Sequence, residues 1–232
     1  MSAKINHIAI LSENYALSGD FYQWLFGLRT IGDGKPRGAA VVGDGYLGLN
    51  INPRSAGRPA RLDHFGIDVD DIEATCARLA AAYPDVHWVK RPPSRPFAAT
   101  TTHDPDGNVF DLSQKNAKNR ADLYAKELDL TPRHFDHIGL RALHPEVLAE
   151  FYTSMFDFTL VQRPNDENYY VSDGHLTIAI MPWRIADFTG MGIVSPGLDH
   201  LGFSVENIET FKTEVETLAT NRPRLAPFPF GK

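Results

Sequence analysis

Polar and apolar positions alternate in one recurring order at four places along the chain: apolar, Asn or Asp, His, apolar, Ala or Gly, apolar. The four stretches are Ile5-Asn6-His7-Ile8-Ala9-Ile10, Leu62-Asp63-His64-Phe65-Gly66-Ile67, Phe135-Asp136-His137-Ile138-Gly139-Leu140 and Leu198-Asp199-His200-Leu201-Gly202-Phe203. A period of two with β-forming residues predicts a strand at each. Alternation then places His7 with Ala9, His64 with Gly66, His137 with Gly139 and His200 with Gly202 on one sheet face. The opposite face carries Ile8 and Ile10, Phe65 and Ile67, Ile138 and Leu140, Leu201 and Phe203, and is suited to burial. One face is greasy; the other is a hollow with a histidine in it.

Helical periodicity follows each of these strands. Residues 16–26 and 145–156 read as amphipathic helices that share a Phe-Tyr pair near the end, and Pro145 suits a first helical turn. Residues 70–83 and 206–219 begin with Asp or Asn before Ile-Glu and continue at helical spacing. Alternating segments 39–52 and 169–181 enclose Asp44-Gly45 and Asp173-Gly174, the signature of a tight hairpin. The predicted unit is strand, helix, then several antiparallel strands, about 60 residues long and present four times. Residues 1–115 form one pair of units and residues 134–232 another, joined by a polar, helix-prone connector over 116–133. One unit cannot bury its apolar face alone, whereas two can close a curved sheet around a cavity.

Facing units solve a problem of metal chemistry, because ligands must converge and neighbours on one strand rarely do. The symmetry of a pair brings His7 toward His64 and His137 toward His200. Asp104-Pro105-Asp106-Gly107-Asn108 reads as a tight turn and leads into a strand on which Asp111 alternates with Val109, turned toward the hollow of His64. Two histidines and one carboxylate on one side of an ion match the facial triad of non-haem Fe(II) oxygenases, and a site of this kind also suits catalytic Zn or Mn.

The paired units, the recurrent Asn/Asp-His-apolar-Ala/Gly strand, the Phe-Tyr helix and the Asp-Pro-Asp-Gly-Asn turn before a carboxylate resemble the vicinal oxygen chelate superfamily. That superfamily includes glyoxalase I, type I extradiol dioxygenases, fosfomycin-resistance proteins and bleomycin-binding proteins. The resemblance covers almost the whole chain. It implies an α+β fold of paired βαβββ modules forming curved mixed sheets around a cavity, with metal ligands on the first strand of each module and the last strand of the second. By position these are His7, His64 and Asp111 in the first half, with Asp111 where many relatives carry the longer glutamate. In the second half they are His137 and His200. The matching carboxylate would lie past Lys232, so the second unit pair is expected to lack its final strand here and to continue beyond this sequence. In two-domain extradiol dioxygenases the second half usually holds the iron, which keeps both halves open as the active one.

The leading expectation is an Fe(II) extradiol dioxygenase of aromatic-compound catabolism that takes a catechol-like substrate by its vicinal oxygens. The first alternative is a glyoxalase-like isomerase or lyase using Zn, Ni or Mn, and the second is a metal-free small-molecule binding or resistance protein. No catalytic acid or base is assigned. His175, Tyr170 and Trp183 are weaker candidates for lining the second cavity. His103 is read as structural, and Cys76 as a small buried residue. Composition narrows partners and place. With 23 Lys+Arg against 29 Asp+Glu the formal charge is −6, which disfavours nucleic acid and anionic membranes. No apolar stretch approaches the roughly 18 residues that span a bilayer, and a single cysteine among 232 residues forms no internal disulfide. A cytoplasmic protein is expected, and family habit adds a homo-oligomer.

Overall fold

The computed structural model describes residues 3–31, 38–93, 98–115, 130–191, 193 and 195–225. The first unit runs β1 (Lys4–Ser12), α1 (Tyr15–Phe26), β2 (Arg29–Thr30), β3 (Ala40–Gly43) and β4 (Gly48–Pro53). The second is β5 (Arg61–Val69), α2 (Ile72–Ala82), β6 (Trp88–Lys90), β7 (Thr100–His103) and β8 (Val109–Gln114). The third is β9 (His134–Ala142), α3 (Pro145–Phe156), β10 (Thr159–Val161), β11 (Tyr169–Ser172) and β12 (Thr177–Pro182). Helix α4 (Ile185–Met191) leads to the fourth unit, of which β13 (Gly197–Ser204) and α5 (Ile208–Asn221) lie among the described residues.

The polar residues heading the predicted helices are caps. Asn14 Oδ1 accepts the Leu17 N–H at 3.1 Å, and Asp71 Oδ1 accepts the Ala74 N–H at 3.0 Å. Asn207 Oδ1 accepts from Glu209 and Thr210. Each satisfies a backbone donor that the first helical turn leaves without a carbonyl. Gly27 stops α1 in the left-handed region at φ 68°, where a Cβ would be strained.

Strand order is β2-β3-β4-β1-β5-β8-β7-β6 in one sheet and β10-β11-β12-β9-β13 in the other. The two histidine strands are antiparallel neighbours in each. Around β1 and β5 the first sheet repeats itself: β4 runs parallel to β1 as β8 runs parallel to β5. The predicted apolar face is the buried one, with Ile8, Phe65, Ile67, Ile138 and Leu140 at 0–1% exposure. They join one core that continues through both halves.

All four Asn/Asp residues of the repeat sit at breaks in register. Ile5 pairs with Ile67 and His7 with Gly66, so Asn6 is an extra residue on β1; Asp63 is extra on β5 between Leu62 and His64. Asp199 on β13 and Asp136 on β9 repeat the arrangement. A β-bulge turns the inserted side chain out of strict alternation, and here it reaches the ring of the next residue.

The halves are joined through matching parts. Asp44 Oδ1 accepts the N–H groups of Tyr46 and Leu47 within its own hairpin, while Oδ2 accepts the Phe135 N–H of β9 at 3.0 Å. Asp173 Oδ1 likewise accepts from His175 and Leu176, while Oδ2 accepts the Ile5 N–H of β1 at 2.7 Å and the Tyr46 hydroxyl at 3.0 Å. A second joint is the turn before β8. Asp104 is fully buried, caps its own turn through Asp106 and Asn108, and accepts the Tyr152 hydroxyl of α3 at 2.8 Å. Aromatic rings fill the space around it, with Phe110 against Phe151, Tyr152 and Phe156. No helix among the described residues is long and apolar enough to cross a membrane.

Candidate metal centre

In the first sheet β1, β5 and β8 bring His7, His64 and Asp111 together. Their ligand atoms lie within 4.8 Å of one another. Asp111 Oδ2 is 3.4 Å from His64 Nε2 and 3.9 Å from His7 Nε2. Ligands about 2.1 Å from a common ion sit roughly 3.0–3.4 Å apart, so a small closure of the cup completes the grip, and the short arm of aspartate is long enough. The two imidazoles meet edge to face, with ring centres 5.5 Å apart.

The donor chemistry also fits a cation. His7 Nδ1 lies 2.6 Å from Asn6 Oδ1, and the Asn6 amide nitrogen points to Ser113 Oγ, whose hydroxyl donates to Asp68 Oδ1 at 2.6 Å. An amide oxygen only accepts, so the proton resides on Nδ1 and the Nε2 lone pair faces Asp111. His64 is held in the same way, with Nδ1 2.9 Å from Asp63 Oδ2, and this bond first of all, with Arg58 nearby, keeps the Asp63 carboxyl below its ordinary range. Asp111 Oδ1 accepts the Thr101 hydroxyl, and Thr101 in turn accepts from Arg91 Nε at 2.6 Å. One carboxylate oxygen is thereby committed to the protein and the other faces the histidines.

Small residues make room for this arrangement from across the strand pair. Gly66 is the register partner of His7 and Ala9 that of His64; a Cβ on Gly66 would lie 2.0 Å from His7 Cε1. The glycine or alanine of each repeat therefore accommodates the ring of the neighbouring strand.

In the second sheet His137 and His200 converge just as closely, with Nε2 atoms 3.1 Å apart and ring centres 5.2 Å apart. Asp136 and Asp199 hold their Nδ1 atoms at 2.7 and 2.9 Å, and Gly202 and Gly139 make way for the rings. Here the resemblance between the cups ends. The His137 and His200 side chains are 31% and 45% exposed, against 1% and 12% for His7 and His64. Among the described residues no third His, Cys, Asp or Glu joins them in a ligand cluster. Arg141 lies nearby, 3.4 Å from Asp199 and 3.8 Å from Asp187 of α4.

The weaker candidates divide. Tyr170 pairs with Ala179, which pairs with Gly139, so it lies on the histidine face of the second sheet; its hydroxyl donates to Asp166 and Arg163 stacks on its ring. The Trp183 indole donates to the Ile193 carbonyl at 2.9 Å. His175 stands at the tip of the Asp173 hairpin, stacked on Tyr46 with ring centres 4.3 Å apart, as part of the joint between halves. His103 is structural: its Nε2 accepts the His87 N–H and its Nδ1 donates to the Asp104 carbonyl. Sequence reasoning assigned no role to Asn6, Asp63, Asp136 and Asp199. Their signal was recurrence before each histidine.

Residues 4–112 match the sequence model of the Glyoxalase/Bleomycin resistance protein/Dioxygenase superfamily. Over 124 residues, 48% of this chain and 96% of the relative, the sequence is 28% identical to the uncharacterized protein YaeR of Escherichia coli strain K12. The fold is similar to that of a Mn(II)-bound glyoxalase from Novosphingobium aromaticivorans, with 18% identity and a TM-score of 0.67 across 94% of this chain and 71% of the other. It is also similar to the 2,3-dioxygenase LapB from Pseudomonas sp. KL28, at 16% identity and a TM-score of 0.61 across 94% and 80%. At these identities the likeness is one of fold.

Proposed function

We propose, from the match of residues 4–112 to the sequence model of the Glyoxalase/Bleomycin resistance protein/Dioxygenase superfamily, that the chain is a metal-dependent ring-cleaving dioxygenase whose active unit is the first, residues 1–115. The observation that carries this reading is the convergence of two histidines and one carboxylate, individually oriented, with His7 and Asp111 buried and His64 partly so. Three protein ligands leave the other side of the ion for a small molecule that binds through two adjacent oxygens.

His7, His64 and Asp111 hold the ion, with Fe(II) favoured and Mn(II) the next choice. When bound, it supplies Lewis acidity that lowers the proton affinity of the substrate oxygens. The protein contributes geometry. Asn6 and Asp63 keep both imidazole lone pairs aimed at one point, Thr101 keeps Asp111 from turning away, and the buried position of His7 excludes water from one side. The substrate class is a catechol-like aromatic, and both atoms of dioxygen enter the product as a ring C–C bond opens, so no external reductant is consumed.

The test is anaerobic loading with Fe(II), and separately with Mn(II), followed by oxygen uptake on a panel of catechols. Uptake matched by substrate loss, and abolished by Asp111→Ala, is expected. No uptake with any catechol, together with turnover of a hemithioacetal, would move the assignment to a glyoxalase-like isomerase.

A further inference from the structure

The repeat around β1 and β5 exchanges His7 with His64, Ala9 with Gly66, and β4 with β8. Asp111 is the register partner of Gly66 on β8. The register partner of Ala9 on β4 is Asn50. Asn50 is therefore the internal counterpart of Asp111, one strand away from Ala9 as Asp111 is one strand away from Gly66. Its neighbours Leu49 and Ile51 are fully buried in the core, so alternation turns Asn50, at 9% exposure, to the histidine face. A carboxylate in this place would give two histidines and two carboxylates related by symmetry. This chain has a neutral amide instead, and the second sheet has only Ala179 opposite Gly139.

We propose that Asn50 is the specificity-determining residue of the centre. As a neutral side chain at the fourth corner it leaves the open face of the ion to a ligand that binds through two oxygens, and its amide N–H donates to one of those oxygens. This inference rests on the reading that His7, His64 and Asp111 hold a divalent cation. A second carboxylate would add charge and a strong oxygen donor, tightening the ion while filling the position that substrate needs. Removing the amide without adding charge would leave the ion alone and weaken only the ligand.

The probes are Mn(II), followed by water-proton relaxation, and acetohydroxamate, a small chelator with two adjacent oxygens. In the wild type, bound Mn(II) is expected to keep exchanging waters that acetohydroxamate displaces. In Asn50→Asp we expect Mn(II) binding about tenfold tighter, lower relaxation per bound ion, and acetohydroxamate binding weakened about tenfold. In Asn50→Ser, Mn(II) affinity should stay within about twofold while acetohydroxamate binding weakens roughly fivefold. Should the buried aspartate prevent folding, Asn50→Ser decides alone. Both variants matching the wild type in Mn(II) affinity, relaxation and acetohydroxamate binding would overturn this inference and leave the three-ligand reading standing. A wild type that binds no Mn(II) would overturn both.

Discussion

The two histidine cups have equivalent central strands, equivalent bulges and a small residue opposite each ring, yet they differ in the surroundings of the rings. In the first, β8 brings Asp111 to histidines that are nearly sealed from solvent. In the second, β13 ends the order of described strands, and His137 and His200 stand with their nitrogens facing each other and their sides exposed. Paired imidazoles are thus the product of the duplicated strand pair. A metal centre needs a further element that supplies charge and excludes water.

The largest effect is expected from removing a histidine or the carboxylate from the first cup, and a histidine from the second. His64→Ala or Asp111→Ala should weaken Mn(II) or Fe(II) binding by more than about 100-fold, beyond what outer-shell changes cost. His137→Ala and His200→Ala should leave that uptake intact in equilibrium dialysis. Glycine substitutions come next. Gly66→Ala forces a methyl into His7, which is 1% exposed and has nowhere to go, costing about 1–3 kcal/mol of folding stability in denaturant titrations. Gly202→Ala meets His137 at 2.1 Å, but that ring can swing toward solvent, so the loss should fall at the low end of the same range of about 1–3 kcal/mol. Equal losses would mean that burial does not separate the cups. Asn6→Ala should weaken metal binding roughly tenfold by freeing the His7 ring, with the fold retained by circular dichroism; Asp199→Ala should not change it.

The smallest effect concerns the joint that the halves share. Burial is the main cause that raises the Asp104 carboxyl above its ordinary range, with its hydrogen bonds to Asn108 and Tyr152 opposing. A raised folded-state value means that its contribution to stability is complete below the unfolded value of about 3.9 and is lost as pH rises through the folded value. Asp104→Asn should flatten that part of a stability–pH curve, read from denaturant titrations at a series of pH values. An unchanged curve would show that the buried carboxyl is insensitive to its surroundings.

The fold was legible because four copies of one hexamer announced the strands and helical spacing announced the helix after each. Periodicity carried the four helices to within two residues at every end, and α2 and α5 begin two residues after their expected starts because Asp71 and Asn207 are caps. The convergence of His7, His64 and Asp111 was legible because the repeat makes two histidines equivalent and a turn precedes the carboxylate. The orienting residues were not. Strict alternation assigns Asn6 and Asp63 to the face opposite their histidines, and only the register break turns them back. Asn50 was hidden for a related reason, since its relation to Asp111 exists only once β4 is paired with β1. His175 took part in the joint instead of the cavity because Tyr46, far away in sequence, stacks on it. The Asp104 turn was read from local chemistry, while its bond to Tyr152 across the joint has no local signal.

On the function proposed above, the first cup holds the ion and the second does not. Anomalous diffraction from a crystal of the chain soaked in Mn(II) tests it most directly. One strong peak bounded by His7, His64 and Asp111, with none between His137 and His200, is the predicted result. A peak at the second pair with the first cup empty would contradict it.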